Sequence, residues 1–185
     1  MSCPARKSDG LLTETGSSAL FRNSMSTPIN KTTSKTGIAN RPVQDEVIVT
    51  RRAHFNASHR LDNKDRSVRW NRKIFGACNN PNGHGHNYLL EVSVAGRPDP
   101  STGYVIDLRE LKEIIRRQIT DKCDHCNLNM DVNFLSGIIP STENLVIAFW
   151  NQLAPKITKG CLHCVRLWET EQNRAEYYGP GVPRI

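Results

Sequence analysis

At 185 residues the chain is long enough to bury one good core and too short for two domains of ordinary size. No apolar run approaches the roughly 18 residues that cross a bilayer as a helix, and the longest is Leu145-Val146-Ile147-Ala148-Phe149-Trp150, so no membrane partner is expected. A net charge of +7 and a pI near 9.3 suit a nucleic-acid binder and an enzyme of polyanionic small substrates equally well, so charge alone excludes neither.

Residues 1–44 are rich in Ser, Thr, Asn and Lys, with scattered apolar residues and no sustained period. Such a stretch cannot bury enough surface to offset its ordering entropy, and it reads as a disordered tail preceding one domain over 45–185. Met1-Ser2-Cys3-Pro4-Ala5-Arg6-Lys7 lacks the apolar centre of a secretion signal, and Asp9 and Glu14 are early for an organellar presequence. A cytoplasmic protein with reduced cysteines is expected.

From Glu46 the pattern turns to alternation. Val47, Val49, Ala53, Phe55, Ala57 and His59 fall on one face of a strand, with Arg51 the charged exception. Arg60 to Lys73 reads as a basic, polar connection. Asn79-Asn80-Pro81-Asn82-Gly83 is turn chemistry, which leaves Cys78 at the mouth of a tight loop leading to His84-Gly85-His86. A second strand runs from about His86 to Arg97, and on a strand His84 and His86 share a face.

Asp107 caps a helix through about Thr120, where Leu108, Leu111, Ile115 and Ile119 recur at helical spacing. Cys123 to Asn129 is a polar loop. Pro140-Ser141-Thr142-Glu143 opens a second helix to about Ala154, with an acid well placed in its first turn. Strands at about 162–171 and 174–178 follow, the first with His163, Val165, Leu167 and Glu169 on one face. Two strands, two helices and two strands predict an α+β domain: a four-stranded antiparallel sheet with two helices on one face. Its two open edges predict a homo-oligomer.

Three histidines, His59, His84 and His86, supply the ligand set of a catalytic metal site with a fourth position open, although each alone fits an ordinary hydrogen-bonded imidazole. The pairs Cys123/Cys126 and Cys161/Cys164 look like halves of a structural zinc site, but lie too far apart for the usual ribbon spacing and are explained as small buried hydrophobes. A cation near Cys78 would favour its thiolate. Glu169, at the end of an apolar strand, needs either protein donors or a ligand with N–H groups.

Phe55-Asn56-Ala57-Ser58-His59-Arg60, the block from Cys78 to Tyr88, Asp124-His125, Ser141-Thr142-Glu143-Asn144 and Trp168-Glu169-Thr170 together resemble the 6-pyruvoyl-tetrahydropterin synthase family, in the family's order. The resemblance implies a zinc-dependent lyase that converts 7,8-dihydroneopterin triphosphate to 6-pyruvoyl-tetrahydropterin with release of triphosphate, in tetrahydrobiopterin biosynthesis. It implies one Zn2+ per subunit on His59, His84 and His86, Cys78 as general base, Asp124 and His125 as a proton-relaying pair, Glu169 as the pterin anchor and Thr142 assisting it. It also implies the tunnelling fold, in which trimers close a sheet into a barrel and two trimers stack as a hexamer, with no nucleic-acid partner. Five residues separate Cys78 from His84, which favours this family over the sister 6-carboxy-tetrahydropterin synthases. A non-enzymatic zinc or nucleic-acid module is the remaining alternative. Cys123, Cys126 and Asn129 depart from the residues expected around the Asp-His pair.

Overall fold

The computed structural model describes residues 45–181, and the predicted tail over 1–44 lies outside them. Two long strands organise this part of the chain. β1 (Val47–His59) pairs antiparallel with β2 (His84–Gly96) over its whole length, from Val47 opposite Gly96 to His59 opposite His84. Between them lies α1 (Val68–Phe75), then a 3-10 turn over Gly76–Asn79.

α1 was not evident in the basic connection because it buries no apolar stripe. Its one buried residue is Asn71, whose Nδ2 donates to the carbonyls of Asn63, Arg66 and Ser67. Ser67 caps it by accepting from Trp70 N at 3.2 Å. Side-chain hydrogen bonds replace the hydrophobic period that identifies a helix in sequence.

α2 (Leu108–Ile115), capped by Asp107, runs on through a widened π turn (Arg116–Thr120) and a last α turn (Asp121–Cys123). Its inward residues Leu111, Ile115, Ile119 and Cys123 are spaced by four. On a 3.6-residue helix that spacing drifts by about 40° per step, and the wider turn takes up part of the drift. α3 (Thr142–Leu153) is capped by Ser141 and buries Leu145, Val146, Ala148, Phe149 and Leu153. With β3 (Cys126–Asn127), β4 (Cys161–Trp168) and β5 (Arg174–Tyr177), the sheet order is β3-β1-β2-β4-β5.

The sheet therefore has five strands and is mixed, which corrects the expectation of four antiparallel strands. β3 pairs parallel with β1 at Ala57 and Ser58. Two residues are too short to show alternation. The pairing is closed on either side by His125 N to Asn56 O at 2.6 Å and Leu128 N to Ser58 O at 2.8 Å.

A bulge in β4 makes a second correction. Ser93 faces Cys164 and Val94 faces Leu162, so His163 is the extra residue and Leu162, not His163, takes the position opposite Val94. β4 stops at Trp168, which leaves Glu169 in the turn before β5.

The core fills the space between the helices and one face of the sheet. Phe55 stacks on Tyr88 with ring centroids 4.9 Å apart, and Phe149 meets Phe55 edge-on at 6.0 Å. The opposite face carries a charge ladder in direct cross-strand register, Arg52 to Glu91 to Arg166 to Glu176. Among the described residues no helix is long and apolar enough to cross a membrane.

Candidate active site

The register of β1 and β2 assembles the histidines. His59 ends β1 directly opposite His84, and Ala57, two residues back, faces His86, so all three imidazoles leave the ribbon on its core face. Their ring centroids lie 4.6, 5.1 and 4.9 Å apart, and one nitrogen from each falls within 4.8 Å of the others. Gly83, at φ 72°, turns the chain into β2. A Cβ there would stand 3.0 Å from the His59 carbonyl oxygen, so both conformation and space call for glycine.

Two of the rings, His59 and His86, are held against protonation. His59 is 1 % exposed and its Nδ1 lies 2.8 Å from the Pro140 carbonyl oxygen, an acceptor that places the proton on Nδ1 and leaves Nε2 a bare lone pair. Burial holds the pKa of His59 and His86 below the ordinary imidazole value, opposed by the nearby carboxylate of Glu169. His86 Nε2 is buried and has no hydrogen-bond partner within the chain. His59 Nε2 and His84 Nε2 are 3.1 Å apart, close to the roughly 3.3 Å expected of two nitrogens at about 2.0–2.1 Å from one tetrahedral ion. The donor set, the orphaned nitrogen and this spacing fit a zinc ion.

Glu169 Oε1 reaches the same cluster, 3.5 Å from His59 Nε2 and 3.7 Å from His86 Nε2, so this carboxylate stands at the metal end of the site. It also lines a cleft of about 720 Å3 whose walls include Cys78, Thr142 and Glu143. Cys78 is carried on the 3-10 turn and tied to the exit of β1: its carbonyl accepts from Leu61 N at 2.9 Å, and buried Asn79 donates to Leu61 O at 2.7 Å and to Asp62 at 2.9 Å.

Asp124 and His125 lie elsewhere. Asp124 Oδ1 accepts from Asn56 N at 2.7 Å, and His125 Nδ1 is 3.0 Å from Asp124 Oδ2. The Asn56 N–H first, and His125 second, hold the Asp124 carboxyl below its ordinary pKa. His125 adopts φ 59°, has a side chain 78 % exposed and lines a shallow groove with Asn56, Ala57, Ser58, Gly85, His86 and Asn87. The groove takes residues of both faces at this end of the ribbon, Ala57 and His86 from the core face and Asn56, Ser58 and Asn87 from the other. A single chain thus gathers His59, His84 and His86 around Glu169, which lines one cleft with Cys78 and Thr142, while His125 lines a different groove that it shares with His86.

The comparisons with known proteins follow this geometry. A family model described as 6-pyruvoyl tetrahydropterin synthase matches residues 48–180. The chain belongs to this family.

Among its relatives, the 6-pyruvoyl tetrahydrobiopterin synthase of Dictyostelium discoideum is 47 % identical over 133 residues, covering 72 % of this chain and 96 % of that protein. The human enzyme of the same name is 44 % identical over 131 residues, covering 71 % and 90 %. The solved 6-pyruvoyl tetrahydropterin synthase of Caenorhabditis elegans superposes with a TM-score of 0.70 at 37 % identity, covering 73 % of this chain and 96 % of that one.

Within this member of the 6-pyruvoyl tetrahydropterin synthase family, two groups at the site, Glu143 and Tyr88, carry no role in the sequence reading, and Asn129, which departs from the family's residues, has a structural one. Glu143 was read only as a first-turn acid of α3, yet it lines the cleft beside Thr142. The Tyr88 hydroxyl lies 3.5 Å from His59 Nδ1, and burial raises its pKa. Asn129 clamps the backbone of Arg60, accepting from its N–H at 2.8 Å and donating to its carbonyl at 2.9 Å. Only the folded chain reveals the Pro140 and Asn129 roles. Glu143 stood in view, inside a motif already noted. Among the described residues the cysteines form no further metal-ligand group, and burial pushes the Cys123 thiol up to about 12.

Proposed function

We propose that the protein is a zinc-dependent 6-pyruvoyl-tetrahydropterin synthase, a lyase that converts 7,8-dihydroneopterin triphosphate to 6-pyruvoyl-tetrahydropterin with elimination of triphosphate. The observation that carries this reading is the meeting of three imidazoles with Glu169, a carboxylate that lines one cleft with Cys78. Family membership supports it.

His59, His84 and His86 would hold the metal. Zinc bound there supplies Lewis acidity that polarises the side-chain hydroxyls of the substrate and acidifies the neighbouring C–H bonds. Cys78 takes the proton from the side chain. Asp124 orients His125 through the 3.0 Å contact, and His125 moves the second proton. His125 lines a different groove from Cys78, and it serves the cleft of a neighbouring copy, in a homohexamer. Thr142 and Glu169 hold the pterin, Glu169 accepting from ring N–H groups at the metal end. The side chain is oxidised to a diketone while the ring is reduced internally, so no redox cofactor enters the balance. The location is taken as cytoplasmic.

The test is direct. Zinc-loaded protein incubated with dihydroneopterin triphosphate should release triphosphate and form the pyruvoyl product. Turnover that instead yields the 6-carboxy product would move the chain to the sister activity, and no turnover with full zinc occupancy would refute the proposal.

A further inference from the structure

The cleft is poorly suited, by its own lining, to the substrate's triphosphate. Three carboxylates, Glu143, Glu169 and Glu176, line it, against one cation, Arg174, which is already paired with Glu176 at 2.9 Å. A polyphosphate laid against those walls would be repelled. It must project towards compensating charge outside the cleft.

Such charge lies on the excursion between β1 and β2. Lys64, Arg66, Arg69, Arg72 and Lys73 are all exposed, and among the described residues none lies in an ion pair. Asp62 is taken by Arg60 at 3.1 Å, so Asp65 is the one carboxylate left to oppose five cations. Arg69 and Lys73 follow an i, i+4 spacing and share one side of α1, with Arg66 just before its N-cap. Arg66 is propped over the Trp70 ring, its guanidinium carbon 5.5 Å from the centroid.

Both ends of this excursion are fixed at the cleft. Leu61, where it begins, and Cys78, where it ends, line the cleft and are joined by the 2.9 Å backbone hydrogen bond. α1 itself is only about 12 Å long, so its cations stand within reach of a field from the cleft mouth at low salt. The other basic groove, lined by Arg51, Arg52, Lys112 and Arg116, lies eight residues back along β1, about 26 Å from His59, and its Arg52 and Arg116 are already paired.

We infer that the cationic side of α1, centred on Arg69 and Lys73, captures and orients the polyphosphate group of the substrate at the mouth of the cleft. This rests on the proposed activity, and it makes α1 a binding element with no part in the bond-breaking steps. Free inorganic triphosphate, which carries the same chemistry, binds there too.

The experiment compares full-length Arg69→Glu/Lys73→Glu with a control of equal charge change, Arg97→Glu/Lys156→Glu. Arg97 follows the end of β2 remote from His84, and Lys156 follows the end of α3 remote from Thr142. The α1 pair should lower kcat/KM for the triphosphate substrate at least about tenfold at low salt, flatten its salt dependence and leave kcat within about twofold. The control pair should change none of these by more than about twofold. Equilibrium dialysis of inorganic triphosphate against zinc-loaded wild-type and variant protein reads the same site without turnover, and should show the same loss. If wild-type protein is inactive but binds triphosphate through Arg69 and Lys73, the activity assignment fails and the site stands. An α1 variant with wild-type triphosphate binding and wild-type kcat/KM, or a control pair with an equal loss, overturns the inference.

Discussion

His59 Nε2 and His84 Nε2 face each other at 3.1 Å across the last register pair of β1 and β2. At that distance two protonated imidazoles would repel, and burial already disfavours the charged form of His59. The metal-free fold therefore disfavours protonation of His59.

The first prediction is a pH dependence of stability. The folded-state pKa of His59 and His86 lies below the ordinary value of 6.5, so as pH falls below about 6.5 the unfolded chain binds protons that the folded metal-free chain does not. Stability of the metal-free protein should be flat above that pH on account of these groups and fall below it. Thermal melts of chelator-treated protein from pH 8 to pH 5 read the effect. Bound zinc should raise the melting temperature at pH 8 and be lost on acidification, because protons compete for the same lone pairs.

Cys78→Ala separates base from scaffold. The thiol lines the cleft, whereas the backbone of Cys78 makes the hydrogen bond that ties the turn to Leu61. Alanine keeps that backbone bond. Turnover should fall by about 10²–10⁴ with zinc content and melting temperature held near wild type. Retention of wild-type kcat removes Cys78 from the chemistry.

Glu91→Ala tests the other face of the sheet. Glu91 is 3 % exposed and accepts from Arg52 at 2.8 Å and from Arg166 at 2.6 Å. Removing it strands half-buried Arg166 with Glu176 as its remaining ion-pair partner, and should cost about 3 kcal/mol, most of it from the Arg166 side because Arg52 is exposed. A urea midpoint reads this loss, and activity per folded molecule should be unchanged.

The sequence exposed those parts of the fold that rest on periodicity. β1, β2, α2 and α3 have runs long enough to show a period of two or 3.6, and Asp107 and Ser141 cap their helices as their positions suggest. α1 and β3 stayed hidden for a common reason: each is held by polar groups, Asn71 in one case and the backbone of Asn56 and Ser58 in the other. At the site, alternation put His84 and His86 on one face, and the register with β1 then brought His59 opposite. What alternation could not supply was reach across the chain: the Pro140 carbonyl behind His59, the proximity of Glu169 to the imidazoles, or the groove in which His125 lies. Each depends on where loops return, and loops carry no period.

The separation of His125 from Cys78 gives the last prediction. If each cleft takes its Cys78 from one copy and its His125 from the next, Cys78→Ala and His125→Ala are each defective alone but not in the same subunit. Mixed oligomers then contain clefts in which an intact Cys78 meets an intact His125. With equal amounts and random assembly, about one cleft in four has both groups, so co-expressed or co-refolded variants should recover roughly a quarter of wild-type activity per site. Mixing the folded variants without subunit exchange should recover none. Equal inactivity before and after co-assembly, in oligomers shown by mass spectrometry to contain both chains, would place His125 and Cys78 in the service of the same subunit.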